Sequence, residues 1–168
     1  MVSKNLVVAV IIALIVGAGG AALLLRNNPN INNQTASSSQ TSFSGVALDY
    51  SGRGLTSFPQ ELLNRTDVTS LDISNNQLSG ALPGEIRHMA NLEQLNVSNN
   101  RMTGIPAEIG QLRKLRVLNY NNNRLTGLPA ELGNLTQLQT LDLSGNPKLS
   151  QQDLNGIRAK LPNTTIKL

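Results

Sequence analysis

Leu48, Leu71, Leu95, Leu118 and Leu141 stand 23, 24, 23 and 23 residues apart. The segments around four of them repeat in phase: VTSLDISNNQL (68–78), LEQLNVSNNRM (92–102), LRVLNYNNNRL (115–125) and LQTLDLSGNPK (138–148), with GVALDYSGRGL (45–55) as a degenerate first copy. Four copies are followed by FPQEL, LPGEI, IPAEI or LPAEL, beginning at Phe58, Leu82, Ile105 and Leu128. A period of this length marks a stack of similar coils. No single coil buries its apolar side alone, and about three are needed for stability.

Within each copy, side chains alternate across a short strand, so Leu71 and Ile73 point inward while Asp72 and Ser74 point outward. Tyr50 and Tyr120 fall on inward positions. Asn76, Asn100, Asn123 and Asn146 recur where the chain leaves the strand. A buried amide there is expected to bond turn backbone in its own and the next coil. Arg53 replaces the first of them, which predicts a looser opening coil. Pro59, Pro83, Pro106 and Pro129 pre-set φ on the far side, with Glu61, Glu85, Glu108 and Glu131 two residues later, as suits short helices. Spacing therefore makes these glutamates helix-end charges rather than paired catalytic acids. At the C-terminal end, from about residue 149, Ser150 and Asp153 form a capping-box-like start to a helix with Leu154, Ile157 and Leu161 as its apolar stripe. Pro162-Asn163 stops it, and residues 164–168 are expected to add a final strand.

This pattern resembles the leucine-rich repeat family, in the class L-x-x-L-x-L-x-x-N-x-L followed by L-P-x-x-I. The match covers residues 43–168, three quarters of the chain. The resemblance implies an α/β solenoid: a short curved array of parallel strands with short convex helices, here in five repeats. It also implies that the concave, strand-lined face binds another protein, with a glycan as the alternative.

Composition narrows the function. There is no cysteine, one histidine (His88), two Phe, two Tyr and no Trp, against 28 leucines and 21 asparagines. Disulfides, thiolate metal sites and a cysteine nucleophile are excluded. A histidine-based triad or metal site has almost no material. The sequence predicts no enzyme, no cofactor and no resident metal. His88 matches Gln111 and Asn134 in later coils and is read as a surface residue.

The N-terminal stretch reads differently. Leu6 to Leu25 is twenty residues without a polar side chain, bracketed by Lys4 and Arg26. At ~1.5 Å per residue such a helix crosses a ~30 Å hydrocarbon core. Residues 1–26 are therefore expected to be a transmembrane anchor or signal segment. An uncleaved anchor is favoured because Leu23, Leu24 and Leu25 prolong the apolar run past the small-residue cleavage candidates. The chain is then single-pass with an extracytoplasmic repeat domain, or secreted if the leader is removed. Gly17 to Ala22 fits a dinucleotide-turn spelling but lacks the strand, helix and acid that the motif requires. Residues 27–42 are a polar Asn/Ser/Thr tether, expected to be disordered.

The expected binding face has a central outward column of Asp49, Asp72, Asn96, Asn119, Asp142 and Lys167. Beside it run Thr69, Glu93, Arg116 and Gln139, and then Ser51, Ser74, Ser98, Asn121 and Ser144. Asp72, Glu93, Asn96, Arg116, Asn119, Gln139 and Asp142 are the candidate contacts, with Arg116 and Glu93 at their centre. The face carries no aromatic anchor of the kind that dominates many interfaces, which leaves a surface structural or adhesive protein as the alternative function. Arg101, Arg113, Lys114, Arg116 and Arg124 cluster in the third and fourth coils among Glu93, Glu108 and Glu131. Mixed signs and missing aromatics argue against nucleic acid.

Overall fold

The structure, a computed structural model, describes residues 45–168; the expected anchor and tether lie outside the described residues. Along the chain come β1 (Val46–Asp49), β2 (Val68–Asp72), β3 (Ser79–Gly80), β4 (Gln94–Asn96), β5 (Arg101–Met102), β6 (Val117–Asn119), β7 (Thr140–Asp142), α1 (Gln151–Lys160) and β8 (Thr165–Lys167). Six strands form one parallel sheet in the order β1-β2-β4-β6-β7-β8, and β3 pairs with β5 in a second, two-stranded sheet. The order follows the sequence because each coil returns to lie beside its predecessor. The repeat spacing is the sheet register: Leu48, Leu71, Leu95, Leu118, Leu141 and Ile166 stand opposite one another in successive strands.

Those leucines form the spine of one continuous core with Ile73, Val97, Tyr120 and Leu143 and with Ile86, Ile109 and Leu132 from the opposite side. Full burial of such a side chain is worth about 1.5–3 kcal/mol. The far side differs in detail from the expected short helices. Each is a single 3-10 turn of five residues: Gln60–Asn64, Gly84–His88, Ala107–Gln111 and Ala130–Asn134. The bonds close three residues apart, as in Leu62 N–H to Pro59 C=O at 3.1 Å. A five-residue segment must cover the width of the coil, and the 3-10 rise of about 2.0 Å per residue covers more than the α rise. The prolines precede these turns with φ between −62° and −70°, and the glutamates lie in the first turns as expected.

The recurrent asparagines are buried, and their bonding corrects one expectation. Asn123 Nδ2 donates to Val97 and Tyr120 C=O at 3.0 and 3.1 Å, while its Oδ1 accepts from Met102 N–H at 2.9 Å. Asn76, Asn100 and Asn146 repeat the arrangement. Their partners are in their own coil and the preceding coil, not the next. The reason is the sense of the ladder: from the strand end to the turn, each coil's amides donate to oxygens of the coil after it, as Ile73 N–H does to Asn96 C=O at 2.9 Å, and only beyond the asparagine does the sense reverse. The asparagine Oδ1 continues that series where the backbone turns away.

One residue earlier, Asn75, Asn99 and Asn122 adopt φ of 56°, 54° and 52°, with Gly52 and Gly145 at the equivalent positions of the outer coils. Asparagine is one of the few side chains that tolerate this left-handed conformation. Asn99 Nδ2 donates to Asn75 Oδ1 at 3.1 Å, and Asn122 Nδ2 to Asn99 Oδ1 at 2.9 Å, so the turns are laced externally.

The two ends are closed unequally. Ser150 Oγ caps α1 by accepting from Asp153 N–H at 3.2 Å, and Leu154, Ile157 and Leu161 are buried against the last coils. Asp153 sends its carboxylate across to Leu128 N–H at 3.0 Å instead of back to its own cap, welding the helix to the fourth coil. In the opening coil Val46, Leu48, Tyr50 and Leu55 are only half-buried. Arg53 lies over the Tyr50 ring, 4.4 Å from its centroid, and its guanidinium donates to Asp49 C=O. A cation–π cover replaces the missing amide and leaves this coil the looser one.

Candidate functional site

The strand face presents its side chains in columns set by the register. Asp49, Asp72, Asn96, Asn119, Asp142 and Lys167 align in one column. Thr69, Glu93, Arg116 and Gln139 follow one another in the next, each linked by the later residue's N–H to the earlier C=O at 2.7–2.8 Å. All seven candidate residues are solvent-accessible: Asp72, Asn96, Asn119 and Asp142 stand in register on the strands, and Glu93, Arg116 and Gln139 lie immediately before β4, β6 and β7.

The outer column departs from expectation. Ser74 and Ser98 are buried, whereas Ser51, Asn121 and Ser144 keep partial access. Each of these residues turns the chain, and its amide is captured by the side chain two residues earlier. Ser74 N–H donates to Asp72 Oδ1 at 2.8 Å, Ser98 to Asn96 at 3.1 Å, Asn121 to Asn119 at 2.9 Å and Ser144 to Asp142 at 3.1 Å. This recurrent Asx turn explains why only Asp or Asn occupies the strand end in these coils. Half of each central side chain is therefore committed to its own turn.

What remains differs from coil to coil. Asp72 Oδ2 accepts from Asn96 Nδ2 at 2.9 Å, so both its oxygens are engaged. Asp142 faces Lys167 Nζ at 3.9 Å, and Glu93 faces Arg116 Nε at 3.8 Å. These accessible pairs are worth about 0–1 kcal/mol, so a partner can replace them at little cost. In the first coil the Ser51 hydroxyl and amide, with Arg53 beyond them, hold the Asp49 carboxyl below the ordinary carboxylate range. The Asn119 amide nitrogen and Gln139 make no side-chain hydrogen bond among the described residues.

A further column lies on this face that reading the sequence by its polar outward positions missed: Ser70, Gln94, Val117, Thr140 and Thr165, each opposite the next in the sheet. Strict alternation from the spine leucines would have found it, since each residue precedes the spine position. Val117 places an apolar group in the middle. With Asp72, Asn96 and Asn119, the first three of this column, Ser70, Gln94 and Val117, line a shallow depression of about 210 Å³.

The expected cluster of five cations is not one cluster. Arg116 lies on the strand face with Glu93. Arg113 donates to Asn134 C=O at 2.6 Å and Lys114 to Asn91 Oδ1 at 2.7 Å, in the loops that re-enter the strands. Arg101 and Arg124 leave the strands on the other flank. Twenty-three-residue spacing separates by direction what proximity in sequence had grouped. His88 is exposed, as expected.

Residues 60–165 match the model of a leucine-rich repeat region. The chain belongs to the leucine-rich repeat family. Among similar proteins, Receptor-like protein 34 of Arabidopsis thaliana is 40% identical over 73 residues, which is 44% of this chain and 8% of that protein. A solved leucine-rich repeat protein of Leptospira interrogans is 41% identical with a TM-score of 0.64, over 67% of this chain and 28% of that one. A plant peptide hormone receptor, RGFR1, solved in complex with RGF2, is 32% identical with a TM-score of 0.55, over 66% of this chain and 18% of that one. This leucine-rich repeat chain thus spans less than a tenth of the length of the curated relative and under a third of either solved structure. No helix among the described residues is long and apolar enough to cross a membrane.

Proposed function

We propose that this leucine-rich repeat protein is a non-catalytic recognition module, tethered to a membrane through Leu6–Leu25, whose strand face engages another protein outside the cytoplasm. The observation that carries the reading is the side-by-side stacking of the seven candidate residues on one accessible face, with Arg116, Asn119 and Gln139 the least committed to internal bonds. The contact centre moves accordingly from the third and fourth coils toward the fourth and fifth. The complex of the peptide hormone receptor supports a protein or peptide as partner. The weakly held Glu93–Arg116 and Asp142–Lys167 pairs suit a partner that exchanges them for its own charges.

Capture of binding proteins by the full-length chain, solubilised in nonionic detergent, tests this. One saturable partner, lost when Asn119→Arg and Gln139→Arg are introduced together, is expected. Diffuse, salt-sensitive retention that survives both substitutions favours the adhesive alternative, in which many weak contacts act without a discrete ligand. The mass of the chain extracted from membranes tests the tether: loss of about 22 residues means a cleaved leader and a secreted protein.

A further inference from the structure

The flank on which the coils leave the strand face has one sign of charge. It is built from residues 74–80, 98–104, 121–127 and 144–150, and none of these segments contains Asp or Glu. They carry three cations, Arg101, Arg124 and Lys148, all exposed and none in an ion pair among the described residues. Arg101 and Arg124 occupy the same position in successive coils, directly after the buried asparagine, and Arg124 N–H donates to Met102 C=O at 2.8 Å. Coils in contact through such bonds repeat at about 4.8 Å. In the fifth coil the run Asn146-Pro147-Lys148-Leu149 has one residue more than Asn123-Arg124-Leu125. That extra residue lets Lys148 stand next to Arg124 across a cleft of about 300 Å³, walled by Thr103, Thr126 and Pro147.

Asp153 borders the flank, its Oδ2 lying 2.9 Å from where a Cβ on Gly127 would stand. Its Oδ2 accepts from Leu128 N–H, and its own N–H is held by the Ser150 cap. Among the described residues it makes no ion pair with the three cations. Elsewhere the charges are mixed: the strand face pairs its acids with Arg116 and Lys167, and the far side carries Glu61, Glu85, Glu108 and Glu131.

We propose that the Arg101–Arg124–Lys148 flank is a second binding surface, separate from the strand face, for a linear polysaccharide of uronic acids. Three features select that partner. Guanidinium groups bond carboxylates bidentately, and two arginines followed by a lysine at coil spacing match charges strung along a polymer. Thr103 and Thr126, with the external Asn75–Asn99–Asn122 ladder beside them, offer hydroxyl and amide groups to sugar hydroxyls. The flank exposes no aromatic ring on which a nucleobase would stack and no large apolar anchor of the kind a protein interface uses.

Alginate is the probe, added to the full-length chain in nonionic detergent and followed by calorimetry or affinity electrophoresis. Neutral dextran and polyglutamate of matched charge serve as comparisons. Alginate is expected to bind, to weaken as sodium chloride is raised, and to lose at least about tenfold in affinity in the triple variant Arg101→Gln, Arg124→Gln, Lys148→Gln. The pair Arg113→Gln and Lys114→Gln, in the re-entry loops, should leave affinity unchanged within about twofold, and dextran should not bind. Thermal melting checks that the triple variant is folded; the single change Lys148→Gln gives a smaller loss in the same direction if it is not. Absence of alginate binding, or equal binding by all variants, overturns the proposal. Polyglutamate binding as tightly as alginate at the same residues also overturns it, assigning the flank to an acidic protein segment.

Discussion

At the scale of single residues, most polar side chains that repeat do structural work first. Asn123, buried, satisfies three carbonyls and one amide, so Asn123→Ala orphans several groups at once. A loss of about 3 kcal/mol is expected by urea unfolding. Tyr120 is the opposite case. It fills the inward position taken by Ile73, Val97 and Leu143 in other coils, it is fully buried, and its hydroxyl has no partner among the described residues. Burial pushes its phenol well above the ordinary range, so it stays neutral. Tyr120→Phe should leave stability equal or raise it by up to about 1 kcal/mol in the same assay, because it removes an unpaired hydroxyl without changing the packing. Both roles follow from residue identity and repeat phase. The direction of the asparagine bonds does not, because only the stacked backbone reveals that oxygens of one coil receive amides of the coil before it.

At the scale of elements, the coils touch closely enough that particular glycines are required. A Cβ on Gly110 would lie 2.3 Å from Glu131 C=O in the next 3-10 turn, which the backbone cannot yield without moving. Gly110→Ala is expected to cost about 1–3 kcal/mol in thermal or urea unfolding. The opening strand makes a prediction in pH. Asp49 has a lowered folded pKa, so its contribution is complete above the unfolded value and is lost as pH falls through the folded one. Stability should therefore decline below about pH 4, and Asp49→Asn should flatten part of that decline while Asp67→Asn, beside Arg65, flattens another part. Strand positions, turn prolines and the C-terminal cap were legible because each has a local chemical signature. The 3-10 geometry was not, since Pro-x-Glu marks the start of a turn without stating its pitch. The Asx turns were hidden because an outward Asp or Asn on a strand reads as ligand-facing until its bond to the amide two residues on is seen.

At the scale of the molecule, stacking sorts the charges into separate territories: mixed and loosely paired on the strand face, four glutamates with Arg87 among them on the far side, and cations alone on the exit flank. The spine leucines made the solenoid legible from sequence, but this sorting depends on which way each coil position points. That is why five cations close in sequence resolve into three places. The strand face over β4, β6 and β7 is the proposed recognition surface. A photo-crosslinking side chain placed in turn at Asn96, Asn119 and Gln139, and at Glu85 and Glu108 on the far side, tests it with the full-length chain in intact cells. One discrete adduct from the first three positions and none from the last two is the predicted result; adducts of equal yield all round the coil, or from Glu85 and Glu108 alone, would contradict it.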